Sequence, residues 1–518
     1  METGVPTEMG VPASAGRFPR MPAPSSGGWQ QTAKREHAQR EGAEREREAE
    51  QARAERYRRL PTGAHGLARE EVERDQRQRL RRAMIELIAE RGYPAVRILD
   101  LTKLAHVSRP TFYDLYRDKE ALLLEAYDEI AARVTRAVMQ AYDGDRPPEQ
   151  RLSAAMRAFA EVAAAEPDAM SLFLLGAFGA GPKMLERRNA MLSAFEQRFQ
   201  QSRDGTPGER ATELTVKFIL GGIREVAAGR LIRDHAEQLP GLADELAAWA
   251  SSYPPKLPAR LRTPPPAPRG DAGTPPRLSP PRARRAEGPL PSGRHDLPRE
   301  VVVKSQRERI VDATADIVAE KGLAALTIPE IASRANVSHE TFYEMYPTKL
   351  DAFVGAQKVG MHQAVGIGVE AFEAAMPDWP RAIANGLRAL IAYLVSEPAH
   401  AHLSIVDAFG ASPETIKIRN ETMTVAAAYF RRGYELARGD TGVPTIAADA
   451  GVGGAWQVIH DEIENERIAE LPNTAPQLIY LLLTPFLGPK QAAKVALEPP
   501  AQNEPAAGAT TSGGRNGA

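Results

Sequence analysis

The chain has 518 residues, of which 43% are hydrophobic and 26% charged, and its formal net charge is -1. That length allows about two to four domains, and so small a net charge predicts that any surface for a polyanion is local. The absence of cysteine excludes disulfide bonds, thiolate metal sites and cysteine nucleophiles.

The sequence gives no sign of secretion or membrane insertion. No run approaches the roughly 18 consecutive apolar residues of a membrane span. The first residues, METGVPTEMGVPASAG, lack the basic and apolar regions of a signal peptide. We therefore expect a cytoplasmic protein without a membrane partner.

Residues 1–70 are predicted to be disordered apart from one charged helical segment. Up to about residue 33 the chain is rich in Pro, Gly, Ser and Met and has little apolar content to pack. From 34 to about 60 it places opposite charges four residues apart, as in Glu36 with Arg40. This spacing favours a solvated helix, and the lack of an apolar stripe argues against a coiled coil.

Two long blocks follow, and they repeat each other. Aligning Asp75 with Ser305, an offset of 305 - 75 = 230, places QRQRLRRAMIELIAERGYPAVRI over QRERIVDATADIVAEKGLAALTI without a gap. Farther on, GGIREV from Gly221 lies over GGAWQV from Gly453, where the offset has drifted only to 453 - 221 = 232. Such a small drift over a whole block indicates the duplication of a complete module.

Between the blocks, residues 254–298 are dominated by Pro and Arg. Proline removes backbone donors and blocks both helix and sheet, so this composition predicts a linker. It favours a soluble spacer kept extended by self-repulsion, with nonspecific attraction to phosphates as the alternative. Residues 496–518, rich in Pro, Gly, Ala, Ser and Thr, are predicted to be a disordered tail.

Both blocks have a helical pattern, and we predict an all-α fold. RLRRAMIELIAERG places Leu80, Met84, Leu87 and Ile88 on one face and ends at Gly92, which is typical of a C-terminal cap. The second copy repeats this arrangement, and neither block contains an alternating strand pattern of useful length.

The next segment of each block predicts a helix-turn-helix. A short helix, ILDLTKL or IPEIASR, is followed by a turn of about three residues and by a helix that begins at Ser108 or Ser338. The turn requires a residue near left-handed geometry, and His106 and Asn336 stand at that position. In this arrangement the second helix of the motif enters the major groove of DNA.

The run from the first helix through VSxxTFYxxYxxK resembles the DNA-binding domain of regulators of the tetracycline-repressor (TetR) family, twice on one chain. The resemblance covers about residues 75–250 and 302–495. It implies two tandem modules, each a helix-turn-helix domain followed by a helical effector and dimerisation bundle. The expected bounds of domain and bundle are 71–125 and 126–253 in the first module, and 299–355 and 356–495 in the second.

The resemblance also implies which side chains contact DNA in each copy. They comprise the start of the recognition helix, which faces the groove, tyrosines and a lysine that lie against phosphates, and one position before the short helix. At that position the first copy departs from the family with Arg97, whereas the second copy has the usual threonine, Thr327. In the first copy they are Arg97, Ser108, Arg109, Pro110, Thr111, Tyr113, Tyr116 and Lys119, and in the second Thr327, Ser338, His339, Glu340, Thr341, Tyr343, Tyr346 and Lys349. Hydroxyls and Lys suit phosphate oxygens, and a long donor such as Arg109 can read guanine edges. Phe112 and Phe342 are predicted to be core, and a structural role is the alternative for Tyr116 and Tyr346.

The rest of each module is implied to bind a ligand and to pair with a second module. AMSLFLLGAFGAGP and HLSIVDAFGASP are apolar with Gly and Phe, which suits either a pocket wall or plain core. GGIREV resembles the start of a dimer-forming helix, although the first copy departs from the family in its ending, LADELAAWASSYPPKLP. The implied partners are a double-stranded DNA operator, an apolar small-molecule effector, and either the other module of the same chain or a second chain. No cofactor or metal is implied.

Other classes of protein find less support in the sequence. His235, His362 and His460 stand apart from nucleophiles and metal ligands and are predicted to be surface residues. We therefore expect a DNA-binding transcriptional regulator, a ligand-responsive repressor, and not an enzyme. The alternative is an interaction or assembly protein in which one helix-turn-helix module no longer reads DNA.

The two DNA-reading heads are predicted to be unequal. The first head, residues 75–124, holds ten Lys or Arg and seven Asp or Glu, a net charge of 10 - 7 = +3. The second head, residues 305–354, holds five and eight, a net charge of 5 - 8 = -3. Within the recognition helix, Arg109 and Pro110 become His339 and Glu340. Because phosphate neutralisation dominates DNA affinity, we expect the first head to contribute more of it.

Overall fold

The computed structural model describes residues 68–142, 147–176, 180–203, 213–254, 256–261, 298–437 and 442–499, together with residues 47, 51, 55, 57 and 58. The features predicted for most of residues 1–70, for most of the linker and for the tail after 499 lie outside these residues. By contacts the chain divides into a unit that ends at Val72 and a unit from Glu73 to Ala518, and the second contains both repeated blocks.

The described part of the chain is all-α, as predicted, and no strand occurs in it. The α-helices of the first module are α1 (Arg69–Arg91), α2 (Ile98–Leu104), α3 (Arg109–Leu115), α4 (Lys119–Tyr142), α5 (Pro148–Ala165), α6 (Pro167–Leu175), α7 (Pro182–Arg203), α8 (Glu213–Ile232) and α9 (Ala243–Ser251). Short 3₁₀ turns lie at Tyr93–Ala95, Ala236–Leu242 and Ala259–Leu261.

The second module repeats the helical order of the first. Its α-helices are α10 (Arg299–Lys321), α11 (Ile328–Ala335), α12 (His339–Met345), α13 (Lys349–Ala375), α14 (Trp379–Ser396), α15 (Pro398–His402), α16 (Ala408–Ala411), α17 (Pro413–Ala428), α18 (Arg431–Leu436), α19 (Ala447–Glu464) and α20 (Leu471–Leu497). A π-helical turn, Leu403–Asp407, follows α15, and 3₁₀ turns lie at Leu323–Ala325 and Ile468–Glu470.

Glycine ends the first helix of each head, as the sequence predicts. Gly92 after α1 and Gly322 after α10 have φ values of 74° and 79°. Each donates its N–H to a carbonyl four residues earlier, of Ile88 and of Val318, at 2.8 Å. Because glycine has no Cβ, this left-handed geometry costs little, and the chain can turn sharply into the next helix.

The core of each head contains the side chains that the helical pattern places inside. Leu80 and Met84 of α1 are fully buried, and Ile88 on the same face is half-buried. Phe112 of α3 and Phe342 of α12 are also fully buried, which confirms their predicted core role. Both recognition helices are therefore anchored to their heads by one aromatic ring.

A long helix joins each head to its bundle. α4 begins in the first head at Lys119 and α13 begins in the second head at Lys349, with 24 and 27 residues. The domain boundaries predicted after 125 and after 355 therefore fall inside helices. The buried face of α4 continues without a break from Leu122 to Val138, so the apolar pattern carries no signal there. A displacement of either bundle can reach its head along this helix.

The remaining helices complete two bundles around α4 and α13. α5 packs on α4 and α9 on α5 in the first module, and α14 packs on α13 and α20 on α14 in the second. Within the described ranges, no single helix has the length and hydropathy of a membrane span. One pair of segments reaches them only when taken together, Trp379–Ser396 and Pro398–Asp407, and the chain bends by 108° between the two.

α8 and α19 form the closest contact between the two modules. Each helix carries a pair of glycines, Gly221 and Gly222 in α8 and Gly453 and Gly454 in α19. A Cβ added at any of these positions would lie within 3.0 Å of atoms of the opposite helix. The glycine pairs therefore let the two backbones approach each other, which side chains at these positions would prevent.

The contacts between α8 and α19 are reciprocal. Gly221 faces Gln457, and Gly453 faces Glu225. Adding the repeat offset of 232 turns Gly221 into Gly453 (453 - 221 = 232) and Glu225 into Gln457 (457 - 225 = 232), so the two contacts are equivalent. Gly222 faces Ala450, and Gly454 faces Phe218. These two contacts are equivalent in the same way, since 454 - 222 = 232 and 450 - 218 = 232. In a two-fold dimer the same patch is used by both partners, with residue i on j and j on i. The two modules of this chain meet in that manner.

Buried ion pairs reinforce the contact between the modules. Lys217 of α8 lies 2.6 Å from Asp461 of α19, and both side chains are largely buried. Glu225 of α8 accepts two hydrogen bonds from Arg419 of α17, at 3.1 and 2.5 Å, with 15% and 6% of the side chains exposed. Such pairs demand defined geometry, because either charge alone would be uncompensated.

One histidine differs from its predicted location. His460 of α19 is 6% exposed, so the prediction that it lies on the surface is wrong. His235 and His362 are exposed, as predicted. α19 contacts both its own bundle and α8, so nearly its whole circumference is buried, and no polar face remains for His460.

The surroundings of His460 are strongly cationic. Burial lowers the pKa of His460 well below its usual range, and the guanidinium groups of Arg188, Arg224 and Arg419 lower it further. Burial, with the neighbouring Arg188 and Arg419, also lowers the pKa of Arg224 to about 9. The interface between the modules therefore favours a neutral imidazole.

The first described residues of the predicted linker are packed on the second module. Ala259–Leu261 forms a 3₁₀ turn in which Leu261 is buried, and its carbonyl accepts a hydrogen bond from Gln477 at 2.7 Å. Leu257 is buried as well. These leucines between prolines supply apolar side chains that α20 can cover, so the chain leaves the first module along the second.

Candidate nucleic-acid interface

The turn before each recognition helix has the geometry that the sequence predicts. His106 and Asn336 have φ values of 52° and 49°, in the left-handed region. An arginine of the first helix holds each turn: Arg79 donates to the carbonyl of His106 at 3.2 Å, and Arg309 to that of Asn336 at 2.9 Å. The role of these arginines was not predicted, although both occupy the same position of the repeat, 309 - 79 = 230.

Serine caps fix the start of each recognition helix. The Oγ of Ser108 accepts from the N–H of Thr111 at 3.1 Å, and that of Ser338 accepts from the N–H of Thr341 at 3.0 Å. Pro110 lies in the first turn of α3, where a missing backbone donor costs little. Losing such a cap typically costs about 1 kcal/mol. The capping serines therefore have a structural role in addition to any contact with DNA.

The side chains predicted to face the groove are accessible in both heads. Tyr113 and Tyr343 are 52% and 56% exposed, which is unusual for large aromatic side chains. Thr111 and Thr341 are half-buried beside their capping serines. The other exposed members of the predicted set are Arg97, Ser108, Arg109, Pro110, Thr327, Ser338, His339, Glu340 and Lys349. Their contacts with DNA remain predictions.

Tyr116 is held inside the first head. It is 4% exposed, its hydroxyl donates to Glu125 at 3.0 Å, and the guanidinium of Arg77 lies 4.9 Å from its ring centre. Burial, with the carboxylate of Glu125 beside it, raises the pKa of Tyr116 to about 12. This geometry favours the structural alternative for Tyr116 over a phosphate contact.

Tyr346 has different surroundings in the second head. The position of Glu125 is taken there by Gly355, since 355 - 125 = 230. A Cβ on Gly355 would lie 2.7 Å from Cε1 and 2.9 Å from the hydroxyl of Tyr346, so the ring occupies the space of the missing side chain. Burial raises the pKa of Tyr346, which is half-buried.

The lysines predicted to contact phosphates are already bonded to backbone. Lys119 donates to the carbonyls of Tyr93 at 3.2 Å and Val96 at 3.0 Å, and Lys349 donates to that of Leu326 at 2.7 Å. Burial lowers the pKa of Lys119. An ammonium group has three N–H donors, so Lys119 retains one for a phosphate. Both lysines connect the long helix of a head to the segment before its motif.

Three positions that carry an exposed cation in the first head lack one in the second. Exposed cations of the first head align with side chains that carry no fixed charge in the second: Arg97 with Thr327, Lys103 with Ser333, and Arg109 with His339. In the second head, Arg334 pairs with Glu320 at 2.8 Å and Lys321 pairs with Glu330 at 2.5 Å. Acidic neighbours also lie beside cations of the first head, where Arg117 pairs with Asp118 at 3.1 Å, so the heads differ in the number of their cations and not in whether these are paired. Lys103, which lies on α2, was not among the predicted site residues.

Each bundle contains an apolar cavity, and the two differ in size. That of the second module measures about 190 Å³ and lies among α13, α14, α17 and α19. That of the first measures about 70 Å³, and its lining includes the charged side chains Glu196 and Arg224. Both stretches predicted as pocket walls contribute lining residues, Phe173 in the first module and Ile405 in the second. The second module therefore has the larger space for an apolar ligand.

Comparison with known proteins gives a family match at both heads. The family described as "Bacterial regulatory proteins, tetR family" matches residues 80–126 and 310–353, whose spacing, 310 - 80 = 230, equals the offset of the repeat. Among curated proteins, none matches the chain significantly.

Two solved structures resemble part of the chain. The fatty acid degradation regulator FadR from Bacillus halodurans is 18% identical over 34% of this chain and 94% of its own, with a TM-score of 0.32. A TetR family transcription regulator from Marinobacter aquaeolei VT8 is 20% identical over 35% of this chain and 97% of its own, with a TM-score of 0.27.

Proposed function

The chain belongs to the tetR family of bacterial regulatory proteins at both of its heads, and on that premise we propose that it is a ligand-responsive transcriptional repressor whose two DNA-reading heads are paired within one polypeptide. It acts in the cytoplasm on a double-stranded DNA operator. The observation that carries the proposal is the reciprocal packing of α8 against α19. A two-fold interface of this type normally joins two separate chains.

Pairing within the chain follows from covalent linkage. The modules are connected by the segment 254–298, so each experiences the other at an effective concentration on the order of millimolar. The close approach of Gly221 and Gly453 to the opposite helix and the buried pair of Glu225 with Arg419 are specific to the partner module. A second chain would have to displace contacts that are already made.

The two heads contribute unequally to DNA binding. Arg109 and Lys103 of the first head are exposed, and the corresponding residues of the second head are His339 and Ser333. Each phosphate neutralised by a cation adds to affinity through counterion release, so the first head binds more strongly. Glu340 is able to accept a hydrogen bond from a cytosine amine, which would give the second head a different half-site. The operator is therefore an imperfect palindrome.

The second module senses the ligand. Its cavity is about 190 Å³, against about 70 Å³ in the first module. Met361 and Phe372 of α13 line it, and the same helix begins in the second head at Lys349. A ligand that displaces α13 therefore changes the position of the second head relative to the first. Release from DNA is the expected response of a repressor.

The alternative function is an interaction or assembly protein in which the second head no longer reads DNA. It is favoured by the net charge of -3 over residues 305–354. Deleting the second head distinguishes the two functions. An assembly protein would keep its full DNA affinity, whereas a two-headed reader would lose the half-site of that head.

The test begins with selection of bound duplexes from random DNA by the full chain. We expect two unequal half-sites, and a perfect palindrome would overturn the inequality of the heads. On the selected site, Arg109→Ala and Tyr113→Phe should reduce affinity more than the matched changes His339→Ala and Tyr343→Phe at one fixed salt concentration. Equal losses would show that the heads contribute alike, and selection of no sequence at all would overturn the proposed function.

A further inference from the structure

The cavity of the second module has a polar corner in an otherwise apolar wall. Nδ1 of His400 and Oγ of Ser404 line it, and neither has a hydrogen-bond partner among the described residues. Both side chains belong to residues that are 3% exposed. A Cβ on Gly360 would lie 2.8 Å from Oγ of Ser404 and 3.5 Å from Nδ1 of His400, so both atoms border the space that this glycine leaves open. Nε1 of Trp456 in the lining is unpartnered as well.

The hydrogen bond on the other side of the imidazole selects the tautomer of a neutral His400. Nε2 of His400 lies 3.0 Å from Oδ1 of Asp312. A carboxylate only accepts hydrogen bonds, so Nε2 carries the proton, and in the neutral ring Nδ1 presents a lone pair. The hydroxyl of Ser404 is able to donate or to accept. The corner therefore offers one acceptor beside one hydroxyl.

We propose that this corner recognises a hydroxyl group on an apolar ligand, which donates to Nδ1 of His400 and accepts from Oγ of Ser404. The inference rests on the proposed ligand response and specifies the chemical class of the ligand. A methyl ether or a hydrocarbon of the same shape supplies no donor for Nδ1. Such a ligand leaves a buried acceptor unsatisfied, whereas the hydroxyl satisfies both groups at once.

The size of the cavity limits the ligand to about one substituted ring. A buried apolar cavity of roughly 150 Å³ is sufficient for benzene. The present cavity, at about 190 Å³, therefore accommodates a ring with a short alkyl group and the hydroxyl. The lining also includes Met361, Ile405 and Leu482, whose side chains carry no hydrogen-bonding N–H or O–H group.

The same histidine connects the cavity to the second head. His400 belongs to α15, and Asp312 belongs to α10, the first helix of that head, on which α15 packs. A ligand hydroxyl at Nδ1 thus acts on the hydrogen bond between Nε2 and Asp312. Asp312 is a positioning residue here, because it contacts the ring of His400 and not the ligand.

Calorimetric titration of the full chain with para-ethylphenol and with its methyl ether, para-ethylanisole, tests the proposal. We expect the phenol to bind the wild-type chain about 10-fold more tightly than the ether. His400→Phe should remove this preference, because it removes the acceptor that only the phenol can satisfy. Ser404→Ala should weaken binding of both probes and keep the preference, because the hydroxyl of Ser404 can donate to either ligand oxygen. Thr422→Val is the matched control, since Thr422 lines the cavity but its hydroxyl already donates to the carbonyl of Ile418 at 2.9 Å.

The possible results separate this inference from the proposed function. Equal binding of the two probes, or a preference that persists in His400→Phe, would overturn the hydroxyl site while leaving a ligand cavity in place. Absence of binding by both probes would also overturn it, and DNA binding by the ligand-free chain would then still test the regulator independently. Asp312→Ala removes the acceptor that sets the tautomer of His400, so it should reduce both the preference for the phenol and the effect of the phenol on DNA affinity. An unchanged effect on DNA would refute the connection through Asp312.

Discussion

Neutralising Glu225 should strongly destabilise the chain if the two modules are paired as described. Its carboxylate accepts two hydrogen bonds from Arg419, which belongs to the other module and is 6% exposed. Glu225→Gln keeps the shape but removes the charge, and leaves a buried guanidinium near those of Arg188 and Arg224. Removing one partner of a buried ion pair typically costs about 3–5 kcal/mol. We expect a loss of that size in the free energy of unfolding.

Urea unfolding measures this loss, and a double-mutant cycle assigns it to the contact between modules. The indole of Trp456 lies 5.1 Å from the guanidinium of Arg419, so tryptophan fluorescence reports on this region. Arg419→Met combined with Glu225→Gln should recover much of the stability, because the guanidinium of Arg419 is then no longer buried without its carboxylate. Lys358→Ala, which breaks an exposed pair with Glu414, is the control and should cost at most about 1 kcal/mol. A coupling energy near zero would show that Glu225 and Arg419 do not meet in solution.

Further predictions concern the interface and the heads. Gly453→Ala should destabilise the chain despite the better helix propensity of alanine, whereas Gly451→Ala, whose Cβ makes only an ordinary contact at 3.4 Å with Leu482, should be neutral or stabilising in thermal unfolding. Because the pKa of His460 is depressed in the folded chain, the unfolded chain takes up the proton first as pH falls below 6.5, and stability is lost there. His460→Gln should reduce that acid-induced fall in melting temperature, and an unchanged pH dependence would refute the cause. Lys103→Ser should lower the slope of log K against log salt for DNA binding by about 0.9, the value for one phosphate contact, and no change would place Lys103 away from DNA.

The elements that the sequence predicts well depend on local interactions. The left-handed turn residues His106 and Asn336 and the caps at Ser108 and Ser338 act within about four residues, so the signal and the structure lie close together. Duplication strengthened each of these predictions, because the same local pattern occurs twice at one offset. The all-α class and the position of both motifs followed from these signals.

The features that the sequence did not predict depend on contacts between distant residues. The hydrogen bond from Arg79 to the carbonyl of His106 joins residues 27 positions apart, and the bond from Lys217 to Asp461 joins residues 244 positions apart. Helical periodicity assumes one buried face, and it therefore misplaced His460, whose helix is covered on nearly all sides. Similarly, Tyr116 matches a family pattern, but its burial depends on Glu125 and Arg77, which the pattern does not include.

The mass of the protein in its complex with DNA tests the central claim most directly. Native mass spectrometry of the full chain, at dilute concentration and with its selected duplex, counts chains per DNA. Pairing of the two modules within one polypeptide predicts one chain of 56.3 kDa on each duplex, and a free protein of the same mass. Two chains on each duplex, with a free protein of twice that mass that is unchanged when the linker is shortened, would contradict it.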